Sequence, residues 1–190
     1  GARGILGLTG YNGILGYRTA PFLGGTEGNK YASRYGIFDT AQEIEKVKPV
    51  IQALKDQGWE FACNGYDRIS YTSGIEKVKA DMEQWKNEVG SLVGEVDILM
   101  YPMGNDFGGR DQYHPENEVY QYLREQGFCF FSSQDVSDLG TYLTEEYFRC
   151  DYVNLDGYRM EQDLYGGAGR FAGMIDFTNL ADPGRENMKS

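Results

Sequence analysis

Five residues bring an amide, a phenol, a carboxylate and a guanidinium into one short stretch: Asn64, Gly65, Tyr66, Asp67 and Arg68. They follow an apolar run, Trp59 to Cys63, that reads as a buried strand, and a helix start follows at Ser73. A carboxylate so placed can act as a base. A guanidinium can polarise an acyl oxygen or grip a carboxylate. Plainer roles stand beside these. Asn64 and Arg68 also suit a structural polar pair at a strand end, and Asp67 suits an ion pair with Arg68.

Similar side chains recur after the other strand-like runs. Tyr11 and Arg18 lie in "TGYNGILGYRT", Tyr101 and Asp106 in "YPMGNDFGGRDQYH", and Asp135 in "SQDVSD". Tyr11, Tyr66 and Tyr101 can line a sugar site, because an aromatic face packs on sugar C–H groups while its hydroxyl stays polar. Arg18 can hold a substrate carboxylate or an Asp from a segment before Gly1. Asp106 and Asp135 are further candidate partners for Arg68, and Asp135 and Asp138 also suit turn caps. Asp67 and Asp106 are the candidates for a base, and no residue is assigned as catalytic. The single histidine, His114, precedes Pro115 and reads as part of a helix entry. Trp59 and Trp85 read as core. There is no Gly-x-Ser-x-Gly elbow, no phosphate-binding loop pattern, and no dinucleotide fingerprint after a strand.

The elements that position these residues alternate. Strands are expected at 4–9, 59–63, 96–101 and 128–132, with a fifth at 147–150. Helices are expected at 40–57, 74–89 and 115–126. Thr40 with Glu43, and Ser73 with Glu76, fit capping boxes. Pro49 predicts a kink or break in the first helix. Ile75, Val78, Met82, Trp85 and Val89 form the apolar stripe of the second. Strand–helix alternation means an α/β fold with parallel strands. The loops after the strands are rich in Gly, Tyr and charge, whereas those before them, such as "DQGWE" and "EQGF", are short and plain. In parallel α/β folds the loops at the strands' C-terminal ends carry function.

The 190 residues suit a single domain, with an α/β core over 1–160 and a tail over 161–190. A formal net charge of −11 opposes binding to nucleic acid or to an anionic membrane surface. No apolar run approaches the ~18 residues that suggest a membrane span. The three cysteines show neither a disulfide framework nor zinc-ribbon spacing.

The stretches "GILGLTGYNGILGYRT", "GWEFACNGYDRIS", "DILMYPMGNDF" and "NLDGYRM" resemble a gut-bacterial branch of the polysaccharide deacetylases, carbohydrate esterase family four, over Gly4 to Met160. The resemblance implies a distorted (β/α) barrel and an extracytoplasmic location. It implies a chitin-like, peptidoglycan or xylan ligand, and a divalent metal, usually zinc, held by two histidines. Those two positions are Asn64 and Arg68 here. The strand with the family's Asp-Asp pair would precede Gly4, so the barrel is expected to be incomplete at its N-terminus. Tyr101 to Gly104 stand at the family's third motif, and its late histidine motif has no counterpart. The expectation is therefore a domain without the usual zinc site and with no cofactor, which binds carbohydrate or acts as a scaffold. The alternatives are an active N- or O-deacetylase that uses an atypical site or a segment before Gly1, with Asp67 or Asp106 as base and Arg68 polarising the acyl oxygen, and a ligand-free interaction module. An oxygen-liganded metal, if bound, would sit at Asp106 and Asp135. An incomplete barrel also predicts an open edge near Gly4 to Thr9, covered by the tail, another chain or a homodimer.

Overall fold

The computed structural model describes residues 3–134, 140–165, 171 and 175–176. Gly1–Tyr152 make one compact unit and Val153–Ser190 a second. The first unit holds a six-stranded sheet: β1 (Ile5–Leu8), β2 (Glu60–Cys63), β3 (Ile98–Met100), β4 (Phe130–Gln134), β5 (Thr141–Leu143) and β6 (Phe148–Tyr152). The order is β1-β2-β3-β4-β6-β5. Every pairing is parallel except β5 with β6. Among the described residues no strand lies on the outer edge of β1.

The parallel strands follow chain order across the sheet, so right-handed crossovers put their helices on one face. The register shows which side chains meet them. Leu8 is level with Cys63, Cys63 with Leu99, and Leu99 with Phe131. This row is buried with Val47 and Ile51 of α2 (Thr40–Asp56), and with Val78, Met82 and Trp85 of α3 (Ile75–Trp85). Val119, Tyr120 and Leu123 of α5 (Glu118–Glu125) complete it. Burying a large apolar side chain contributes about 1.5–3 kcal/mol, so this row and its helix partners are the main stabilising mass of the unit. The opposite face is sparser. Ala62 is fully buried there, and a side chain on Gly7 would meet the Met100 sulfur.

Several local expectations need correction. Pro49 does not break α2, which is continuous over 17 residues. Neither capping box forms. Asp39 caps α2 by accepting from Gln42 N at 3.0 Å, while the Glu43 carboxylate is taken by Lys46. Gly74 is the N-cap of α3, and Ser73 Oγ turns back to Ser70 O. Beyond Trp85 the helix widens into a π-turn, Lys86–Gly90, and closes in α4 (Ser91–Val93). The third long helix starts later than its proline, because Asn117 Oδ1 accepts from both Val119 N and Tyr120 N at 3.0 Å.

The long β1–α2 loop contains a 3-10 turn, Pro21–Gly24, and α1 (Ala32–Tyr35). The second unit holds α6 (Gly157–Tyr165), started by Asp156, whose carboxylate accepts from Arg159 N at 2.8 Å. The strand suggested by "RFAGMIDF" falls mostly outside the described residues. No helix among the described residues is long and apolar enough to cross a membrane.

Candidate functional site

Backbone ladders and one buried carboxylate build the loop after β2. Asn64 N donates to Leu8 O at 3.0 Å, extending the β1–β2 pairing by a residue. Gly65 then turns with φ of 65°, and a Cβ there would lie 2.8 Å from Pro102 Cγ and 3.0 Å from Asp81 Oδ2. Only glycine suits a position that is both left-handed and walled in. The next two amides, Tyr66 N and Asp67 N, donate to the two oxygens of Asp81 at 2.8 and 2.9 Å. Asp81 is 6% exposed on α3, and burial raises its pKa against the pull of those two donors. A buried carboxylate thus holds the loop from behind.

The same loop is joined to the one after β1. Gly10 N and Tyr11 N both donate to Tyr66 O at 3.2 Å. The Tyr66 ring packs where a side chain on Gly10 would stand. Its hydroxyl donates to Glu88 of the π-turn at 2.5 Å. Burial and this carboxylate push the Tyr66 phenol far up. Trp85 Nε1 donates to Leu8 O at 2.7 Å, so the helix also secures the end of β1.

The loop after β3 is organised around a second buried carboxylate. Asp106 pairs with Arg149 Nε at 2.9 Å, and both side chains are 2% exposed. Tyr113 donates to Asp106 at 2.8 Å, Gly108 N donates to it at 2.8 Å, and the Tyr101 and Tyr113 hydroxyls lie 2.9 Å apart. Arg149 Nη1 donates to Asp111 O at 2.6 Å, and Nη2 to Gly109 O. Its guanidinium lies over the Tyr113 ring at 4.8 Å and the Tyr142 ring at 5.4 Å. Burial pushes the Asp106 carboxyl up while the Arg149 charge pulls it down, and burial is the larger effect.

These contacts sort the residues expected from the sequence. Asn64, Asp67 and Arg68 stand together at the end of β2, with Asn64 half-buried and the other two exposed. Tyr11 is half-buried beside them through its bond to Tyr66. Arg18 is exposed, with Nη1 donating to Asn12 O at 3.2 Å. Tyr66 and Tyr101 do not line a surface. They are 5% and 0% exposed, and Tyr101 packs edge-on against Tyr71 at 5.7 Å. Asp106 is not the partner of Arg68 and is no accessible base, because Arg149 holds it inside. Asp135 lies outside the described residues. His114 is exposed and its Nδ1 accepts from Glu116 N at 3.3 Å, in the turn that leads to α5.

Asp81 and Arg149 were missed. Each had a signal: Asp81 falls on the apolar stripe between Val78 and Trp85, and Arg149 stands inside a strand-like run. Tyr71, also missed, is fully buried with no hydrogen bond to its hydroxyl.

Backbone strain marks the same end of the sheet. Among the described residues, the non-glycine residues with positive φ are Leu15 (51°), Arg68 (56°) and Met103 (55°). They lie in the loops after β1, β2 and β3. The left-handed region costs an L-residue about 1–2 kcal/mol, and such strain gathers where a loop must present particular groups.

Asn64 and Arg68, at the two positions where the resemblance puts metal histidines, offer zinc no good ligand. A guanidinium has no lone pair to give, and zinc is bound by thiolate, imidazole or carboxylate rather than amide oxygen. Asp106 has its oxygens taken by Arg149, Tyr113 and Gly108 N. Among the described residues there is no group of three or more His, Cys, Asp or Glu that could hold a metal ion.

No protein-family profile matches the chain. No curated protein matches it either. Among solved structures it is similar to a Mycobacterium smegmatis protein assigned to the polysaccharide deacetylases, at 14% identity and a TM-score of 0.39. The match covers 75% of this chain and 44% of that one, so the chain spans less than half the length of that protein.

Proposed function

We propose that the chain is a divergent polysaccharide deacetylase-like domain of an exported protein, with a distorted (β/α) barrel architecture, which binds carbohydrate without the family's zinc site. The observation that carries this reading is the Asn64–Arg68 loop. Asp81 fixes its backbone from inside, Asp67 and Arg68 are exposed, and Asn64 is half-buried beside them. Donors and acceptors fixed on a rigid loop suit sugar hydroxyls, since they need little ordering when a ligand binds. The half-buried Tyr11 beside them supplies an apolar face. The sequence resemblance supports the ligand class, and the acidic net charge of −11 disfavours nucleic acid.

The test is elemental analysis of the purified chain together with acetate release from acetylated chitooligosaccharide and acetylated xylan in added zinc. The reading expects neither stoichiometric metal nor acetate. Metal with acetate release would instead mean an active deacetylase with an atypical site, in which Asp67 is the accessible carboxylate.

A further inference from the structure

We infer that the Asn64–Arg68 loop recognises a saccharide bearing a carboxylate, with the Arg68 guanidinium as its anchor and Arg18 as a second cation on the adjoining loop. This rests on the carbohydrate-binding reading and names its ligand class.

Arg68 is exposed, in a chain with 29 acidic and 18 basic residues. Even so, among the described residues no carboxylate pairs with it: its neighbour Asp67 is exposed without pairing to it, and the buried carboxylates around the loop are committed elsewhere. Asp81 accepts the amides of Tyr66 and Asp67, Glu88 accepts the Tyr66 hydroxyl, and Asp106 is paired with Arg149. The backbone adds a second observation. Arg68 holds φ of 56°, a conformation that glycine adopts without strain. The turn by itself gives no reason for a guanidinium there.

The third observation is the second cation. Arg18 uses one guanidinium nitrogen on Asn12 O, and Asn12 follows Tyr11, which is bonded to Tyr66. A guanidinium has five N–H donors, so Arg18 keeps most of its own. Glu43 accepts the Arg18 backbone amide and the Lys46 ammonium, and it makes no hydrogen bond to the Arg18 guanidinium, although that charge helps to lower its pKa. Two guanidinium groups therefore stand on loops sewn together at Tyr66. Their planar forks match a carboxylate in a way that sugar hydroxyls do not need. Asn64 and Tyr11 remain for the neutral part of the ring.

The test is calorimetric titration of the full chain with hexagalacturonate and with its fully methyl-esterified form, the same sugar without the charge. A second pair distinguishes the source of the carboxylate: the disaccharide of N-acetylglucosamine and N-acetylmuramic acid against chitobiose. The expected result is at least tenfold tighter binding of the acid in one pair. Arg68→Gln should bring the acid down to its neutral counterpart, and Arg68→Lys should keep part of the preference. A melting curve confirms that each variant is folded, as its exposed position predicts. Equal affinity for acid and neutral partner, or an unchanged preference in Arg68→Gln, overturns the inference and leaves the carbohydrate reading standing. No binding in either pair overturns both.

Discussion

Arg149→Met is the perturbation whose cost can be worked out most fully. The change keeps the apolar stem and removes the charge. It leaves Asp106 buried without its counter-ion, and leaves Asp111 O and Gly109 O without their donor. Removing one partner of a buried pair costs about 3–5 kcal/mol. Each orphaned carbonyl adds about 1–3 kcal/mol unless water reaches it. Asp106 limits the total by taking a proton, which burial already favours. The expected loss is therefore about 3–5 kcal/mol, a large share of the 5–15 kcal/mol typical of a domain. Asp106→Asn should cost a similar amount, because it leaves the Arg149 charge buried without its counter-ion and turns an amide NH2 toward the Gly108 N–H.

The double variant Arg149→Met/Asp106→Asn should be more stable than the sum of the singles by about 1–3 kcal/mol, as expected for residues in one network. Urea unfolding followed by circular dichroism measures all four corners of this cycle. A loss below about 1 kcal/mol for Arg149→Met, a small cost for a buried pair, would refute the reasoning. So would singles that simply add.

Three further outcomes are expected. Gly65→Ala should lower stability by more than the ~1–2 kcal/mol that positive φ alone costs, because the new methyl meets Pro102 and Asp81. Gly28→Ala, also at positive φ but in open space, should cost only the conformational part, and thermal melting compares the two. Asp81 has a raised pKa in the folded state, so it binds its proton more tightly there than in the unfolded chain. Its contribution to stability is then greatest below the ordinary carboxylate pKa and is lost as pH rises through the folded value. Melting temperature across that range should show the loss in the parent chain and a smaller one in Asp81→Asn. Cys63 is fully buried, and burial drives its thiol pKa far up. Thiol labelling should therefore modify Cys129 and Cys150, which are partly exposed, before Cys63, which should react only on unfolding.

The α/β class and the first four of the five parallel strands were legible because apolar runs alternate with helical stripes, and the run at 147–150 marked the fifth. The stripe Val78, Met82, Trp85 and Val89 is buried as its spacing implied. The helix starts were less legible. Asp39, Gly74 and Asn117 decide them, and the Thr40–Glu43 pattern was overridden because Lys46 and Arg18 compete for the Glu43 carboxylate. The antiparallel β5 was missed: it has three residues, and its Leu143 is 79% exposed, so no alternation marks it. At the site, the NGYDR stretch stood out by composition. What holds it did not, since a single Asp81 within a helix takes its meaning only from two amides 14 and 15 residues away. The tyrosines misled for a similar reason. A phenol serves a surface or a core equally well, and only the partners Glu88 and Tyr113 show that Tyr66 and Tyr101 belong inside.

Under the proposed function, the strand-end loops bind carbohydrate without a metal. The most direct measurement is titration of the chelator-treated chain with acetylated and carboxylated oligosaccharides, repeated with Asn64→Ala. The expected result is saturable binding that chelation leaves unchanged and that Asn64→Ala weakens. Binding that disappears on chelation, or no binding at all by a folded chain, would contradict it.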